Sequence, residues 1–188
     1  MAELELNKAI GRKDSRGNMR PTATILETVE RKTRISRKNF HGICLNESDD
    51  LALFHEECDF LFDGFCIFPT KDIVRRQTTA CNQRVLTLAR AENFLPTTPR
   101  WVHQIDLSNL RTALASIGSE RVVIIENERI PDFWIGTLVE VDNTSCRIRH
   151  FDMLGKWMGV FRVPYRQVTV VKLDSRYQRI HQKYLKAK

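Results

Sequence analysis

Two His-x-x-Cys pairs, His41/Cys44 and His55/Cys58, combine imidazole with thiol, the ligand types that zinc favours. A strand sends residues three apart to opposite faces, so either pair would chelate only across a turn or a bulge. The second half of the chain retains only His150 of these four side chains. The expectation is therefore buried, hydrogen-bonded residues and no metal, with His55 and His150 as core histidines on a strand face shared with leucine and isoleucine. Cys44, Cys58, Cys66, Cys81 and Cys146 are odd in number and unevenly spaced, as expected of reduced, buried thiols in a cytoplasmic chain. The acidic group Glu47, Asp49, Asp50, Glu56, Glu57, Asp59 and Asp63 lacks the ligand order of a calcium loop and reads as solvated turns. No Gly-x-Ser-x-Gly elbow, phosphate-cradling glycine loop or His-Glu-x-x-His occurs, so no catalytic residue and no cofactor is assigned.

Arginine carries the clearer signal. Arg147 and Arg149 alternate with Cys146, Ile148 and His150, which puts both cations on one strand face. With Arg162, Arg166, Tyr165, Arg176 and Arg179 they supply phosphate-neutralising charge and a flat ring, the two needs of RNA or single-stranded nucleic-acid binding. Arg12, Lys13, Arg16, Arg20 and Lys183 add to the terminal charge. The formal charge of +7 is unevenly spread: +5 over residues 1–38, −5 over 39–76, zero over 77–132, +1 over 133–163 and +6 over 164–188. A polyanion would thus engage part of the surface only. The acidic first half offers the alternative, a protein-interaction module acting as an adaptor or inhibitor.

The elements that must position these residues follow from length and pattern. At 188 residues, 42% hydrophobic and 28% charged, the chain can bury a substantial core. It has no uninterrupted apolar run long enough to span a bilayer and no secretory leader pattern, so neither membrane insertion nor export is expected. It is also duplicated. Phe40-His41-Gly42-Ile43 matches Trp134-Ile135-Gly136-Thr137 at an offset of 94, and Gly64-Phe65-Cys66-Ile67-Phe68-Pro69 matches Gly159-Val160-Phe161-Arg162-Val163-Pro164 at 95. At the second offset Leu51, Leu53, His55 and Phe62 fall on Cys146, Ile148, His150 and Trp157. Arg147 and Arg149 then stand where the first half has Ala52 and Phe54, so an outward Phe54 must be covered by another part of the protein.

Each unit reads as five short strands: 24–32, 40–45, 51–55, 64–68 and 72–75, then 121–126, 133–141, 146–150, 159–161 and 168–171. Helices are expected over Asn82–Ala89, after an N-cap within Asp106-Leu107-Ser108 and ending at Gly118, and near the C-terminus with Tyr177, Ile180 and Tyr184 as its apolar stripe. Residues 1–21 form a loosely ordered basic arm, 22–95 the first unit with its closing helix, 96–107 a linker and 108–188 the second unit with leading and C-terminal helices. The fold class is mainly β with short α segments.

Five short strands with a glycine early in the second, an acid six residues later (Gly136 to Asp142; Gly42 to Ser48-Asp49) and a tight turn before the last strand resemble the small barrels of the Sm-like and SH3-like kind. The resemblance implies two tandem five-stranded barrels. Cys146 and Ala52 stand where Sm proteins carry a base-holding Asn, and Val163-Pro164 and Phe68-Pro69 replace their Arg-Gly, so the Sm nucleotide pocket does not carry over. Ser48-Asp49-Asp50-Leu51-Ala52-Leu53, Asp63-Gly64-Phe65 with Asp72-Ile73, and Ile130-Pro131-Asp132-Phe133-Trp134-Ile135-Gly136 look like blocks in a loose group of bacterial proteins, which implies a bacterial cytoplasmic setting and brings no activity with it.

Overall fold

The computed structural model describes residues 24–32, 37–130 and 132–185; the arm expected over residues 1–21, with Arg12, Lys13, Arg16 and Arg20, lies outside them. The first half folds as β1 (Leu26–Lys32), β2 (Arg37–Glu47), β3 (Leu51–Cys58), β4 (Leu61–Pro69), β5 (Ile73–Gln77) and helix α1 (Ala80–Ala91). The second leads with α2 (Leu110–Ile117) and continues as β6 (Val122–Asn127), β7 (Asp132–Val141), β8 (Ser145–Phe151), β9 (Trp157–Pro164), β10 (Val170–Leu173) and α3 (Arg176–Tyr184). All strand pairs are antiparallel, in the order β5-β1-β2-β3-β4-β10-β6-β7-β8-β9. The chain is mainly β, as expected, and its strands form one continuous sheet that does not close on itself. The reason is that β4 finds its second neighbour in β10, the last strand of the other half, through Ile67–Val171, Cys66–Lys172 and Phe65–Leu173.

Strand register shows how far the duplication extends and corrects its alignment. Gly42 lies opposite Glu56 and Cys44 opposite Phe54, while Gly136 lies opposite His150 and Leu138 opposite Ile148, each pair of strands bulging at the same next step. β3 therefore matches β8 at an offset of 94, and the one-residue insertion falls in the following hairpin. In this register Ala52 and Phe54 correspond to Cys146 and Ile148. Arg147 and Arg149 replace Leu53 and His55. Phe54 is thus an interior residue, stacked on Phe68 at 5.3 Å with Phe40 edge-on at 5.6 Å, and is not the outward side chain expected. The two glycines share one cause: a Cβ on Gly42 would stand 2.6 Å from the His55 carbonyl oxygen, and one on Gly136 would collide with that of Arg149.

The outer face of the first half that bears Leu51, Leu53, Phe65 and Ile67 is buried in the largest core cluster, together with Val102, Ile105 and Leu107 of the expected linker and Leu114 of α2. The Ser48 hydroxyl donates to the Leu107 carbonyl at 2.6 Å, tying the first half's β2–β3 turn to the same segment. α2 starts at Asn109, not within residues 106–108, because the Asn109 side chain accepts from the Thr112 N–H while Asp106 is occupied by Ser108; Gly118 ends it at φ 81°. α1 and α3 follow the fifth strand of each half, capped by Thr79 with Asn82 and by Ser175 with Gln178, a repeated device at an offset of 96. On α3 the buried residue is Gln178, whose amide donates to the carbonyls of Val122 (2.7 Å) and Lys172 (2.9 Å). That docking turns Tyr177, Ile180 and Tyr184 outward, against the expected apolar stripe.

A buried ion pair locks the halves together. Arg31 of β1, 4% exposed, donates to Glu128 in the β6–β7 turn at 2.9 Å and to the Thr169 carbonyl at 3.1 Å, and its guanidinium lies 4.2 Å over Phe68. Lys38 reaches Glu128 from the solvent side at 3.1 Å. Burial pushes the Glu128 carboxyl up, but Arg31 and Lys38 outweigh it and hold the group below its ordinary 4.5. Its contribution to stability is therefore present above that pH and is lost as pH falls further. Removing one member of such a pair leaves a charge in low dielectric, so Arg31→Met should cost about 3 kcal/mol in urea unfolding, with much of it restored by adding Glu128→Gln. An Arg31→Met protein as stable as the wild type would contradict this role.

Candidate nucleic-acid interface

β8 and β9 form the last hairpin of the sheet. Cys146, Ile148 and Val163 are buried in the core, and the alternating Arg147 and Arg149 are exposed between Ser145 and Phe151, which are buried at the two ends of the strand. Arg147 lies directly opposite Arg162, and Arg149 opposite Val160, so three of the expected arginines share one exposed face. On the other side Arg147 faces Glu140, with Nη1 3.2 Å from Oε2 and both side chains about half exposed. Such a pair is weak and easily exchanged. Arg162 is anchored: Nε donates to the Ser145 hydroxyl at 2.8 Å and Nη2 to that of Thr144 at 3.3 Å.

That anchor is built by Asp142 in the β7–β8 turn. Its carboxylate accepts from the N–H groups of Thr144 and Ser145, each at 2.7 Å, and from both hydroxyls, which together hold it down at about 2. The equivalent Ser48 performs the turn-closing role in the first half, accepting from Leu51 N–H at 3.0 Å. The Arg149 guanidinium carbon lies over the Trp157 ring, 4.3 Å from its centre. Trp157 is set edge-on against Phe151 at 5.6 Å, Phe151 sits 5.4 Å from His181, and His181 sits 4.5 Å from Tyr177. A line of rings therefore connects the arginine face to α3.

The remaining expected residues divide. Arg176 and Arg179 are exposed on α3, but Arg179 is engaged with Asp63 at 3.3 Å and Asp174 at 3.5 Å. Tyr165 is half-buried against the core, its hydroxyl donating to the Asp142 carbonyl at 2.7 Å, and burial raises it to about 12; it offers no free ring for stacking. Arg166 lies away from the hairpin face, in a cleft of about 360 Å³ between the halves, with Lys71, Arg129, Asp49, Asp50 and Asp72 around it. Arg129 and Lys71 carry no sequence signal, because only the pairing of β4 with β10 brings them together. The cleft's mixture of charge selects no ligand class.

The His/Cys and acidic readings also resolve. His41 Nδ1 lies 3.2 Å from the Thr28 hydroxyl, and among the described residues no three His, Cys, Asp or Glu side chains cluster as metal ligands do. Cys66 and Cys146 are buried, but Cys58 and Cys81 are exposed, since one ends a strand at a hairpin and the other opens α1 on its solvent side. The acids are not simply solvated: Glu47 pairs with Arg76, Glu56 with Lys172, and Asp63 receives the Arg176 N–H, while Glu57 is buried and accepts the Phe60 N–H. No family model, curated protein or solved structure matches the chain.

His55 and His150 differ because they are not equivalent positions. His150 is half-buried, its Nδ1 2.9 Å from the Ile135 carbonyl oxygen. His55 is 4% exposed, set against Phe65 at 4.5 Å and Phe62 at 5.7 Å, and its Nδ1 has no hydrogen-bond partner among the described residues. Burial pulls it down from 6.5 to about 4, so the folded protein keeps the ring neutral where the unfolded chain protonates it. Stability should accordingly fall as pH drops from 6.5 towards 4, and His55→Leu should flatten that slope in urea titrations across the window. An unchanged slope would show that the ring is not buried neutral.

Proposed function

We propose that this chain is a non-catalytic, cytoplasmic binding module for RNA or single-stranded nucleic acid, and that the outer face of the β8–β9 hairpin is the surface it uses. The observation that carries this reading is the arrangement of Arg147, Arg149 and Arg162 on one exposed face, with the Arg149 guanidinium over the Trp157 ring. An exposed arginine beside an indole can meet a base, and its neighbours offer charge to the flanking phosphates. The pair between Arg147 and Glu140 contributes little in solvent, so a phosphate can replace the carboxylate at small cost. α3 carries two further exposed cations, Arg176 and Lys183. The finer architectural reading, two Sm/SH3-like units, is supported by the matching registers, bulges and capped helices of the halves. The protein-partner alternative on the acidic half is less favoured, because Glu47, Glu56 and Asp63 are already paired within the fold.

The test is fluorescence anisotropy with a labelled single-stranded RNA across a salt series. Affinity should fall linearly with the logarithm of salt, and Arg147→Ala, Arg149→Ala and Arg162→Ala should each weaken binding and reduce the slope by about 0.7 for every phosphate left without its cation. Trp157→Leu should weaken binding while leaving the salt slope nearly unchanged. Binding that ignores all four substitutions would refute the assignment.

A further inference from the structure

Large apolar side chains stand in solvent at the turn that joins β8 to β9. Met153 is 79% exposed and Leu154 91%, and Met158 follows, also exposed, at the start of β9. The turn is built to hold them out. The Asp152 carboxylate accepts the N–H groups of Leu154 and Lys156, each at 2.9 Å, and the Asp152 carbonyl accepts that of Gly155 at 2.9 Å. Gly155 completes the turn at φ 72°, a conformation that costs glycine little. A tip fixed by its own hydrogen bonds presents its apolar pair before any partner arrives, so little ordering cost attends its use.

α3 lies beside this tip. Leu185, directly after the helix, comes within 4.0 Å of the point a Gly155 Cβ would occupy, and His181 packs on Phe151 at 5.4 Å. With Gln178 turned inward, the opposite face of α3 is the exposed stripe of Tyr177, Ile180 and Tyr184. Arg176 and Lys183 run along its margin, and the Lys183 ammonium lies 5.5 Å over the Tyr184 ring. Residues 175–188 hold five Lys or Arg and no Asp or Glu, and the one acid of residues 152–158, Asp152, is taken up by the turn.

Charge alone would suit a polynucleotide or an anionic bilayer, and the apolar side chains decide between them. Ribose and phosphate gain nothing from Met153, Leu154 or Ile180. Aliphatic side chains that project from a basic, tyrosine-bearing surface match the layers of an anionic bilayer: acyl chains, then the interfacial level favoured by amphipathic rings, then phosphates that attract cations. We propose that this end of the protein docks on the surface of an anionic phospholipid bilayer, with Met153 and Leu154 entering the headgroup layer and α3 lying along it. No helix among the described residues is long and apolar enough to cross a membrane, and the contact requires none. It is independent of nucleic-acid binding, since the tip residues lie outside the set Arg147, Arg149 and Arg162.

The test is flotation of nuclease-treated full-length protein with vesicles of phosphatidylglycerol and phosphatidylcholine, compared with vesicles of phosphatidylcholine alone. The wild type should float with the mixed vesicles and stay behind with the neutral ones. Leu154→Ser should lower partitioning about tenfold or more, the loss expected for one leucine side chain left in water, and Lys156→Ala or Lys183→Ala about fivefold each. Leu154→Ser should leave the affinity for labelled single-stranded RNA unchanged, so a failure of RNA binding and a failure of lipid binding are read separately. Circular dichroism checks that the variant folds, and Met153→Ser supplies a second probe of the tip. No flotation with the mixed vesicles, equal flotation with neutral ones, flotation undiminished by both tip substitutions, or a Leu154→Ser defect confined to RNA would overturn the proposal.

Discussion

The pairing of β4 with β10 is the constraint on which the rest of this protein depends. It turns two five-strand halves into one sheet, and it explains features that neither half accounts for alone. Gly64 lacks a side chain because β10 needs the space. Lys172 is placed between Glu56 and Glu126, at 3.7 and 3.5 Å, so that one ammonium serves carboxylates from both halves. Arg31 reaches Glu128 and the Thr169 carbonyl only because the β6–β7 turn is brought over β1 and β4. With Arg31 and Glu128 buried at the boundary, opening it would expose apolar surface and unpaired charge together.

Duplication followed by divergence of one face accounts for the division of labour. At matched positions β3 carries Leu53 and His55 where β8 carries Arg147 and Arg149. The first pair is buried under the 101–117 segment and its neighbours, so it must be apolar or neutral, and His55 remains uncharged there. The second pair has no such cover among the described residues and is basic. Two substitutions on one face of one strand therefore separate a half whose face is covered from a half whose face is exposed and basic, while the interior residues Ala52 and Phe54, against Cys146 and Ile148, stay apolar in both.

Much of this is legible from residue pattern, and the misreadings have local physical causes. The ten strands and three helices follow from alternation, capping residues and the repeated Gly42 and Gly136. Placing the one-residue insertion before β3 instead of after it moves every side chain of that strand to the wrong face, which is why the pattern puts Phe54 outside. The C-terminal helix has an aromatic stripe that pattern alone would bury, but two open carbonyls at Val122 and Lys172 require an amide, and Gln178 takes the inner position. Arg147, Arg149 and Arg162 can be grouped by alternation along one hairpin. Arg166, by contrast, lies in a cleft formed across the seam, and single-sequence pattern holds no information on which strands become neighbours across about 100 residues.

The account rests on the seam behaving as interior structure, and native-state hydrogen exchange over residues 61–69 and 170–173 tests that most directly. If the halves form one cooperative body, these amides should open with the same free energy as the central strands β3 and β8, the value obtained from global unfolding. Seam amides that exchange through a much cheaper opening, while β3 and β8 stay protected, would show two separately stable halves in loose contact and would contradict the account.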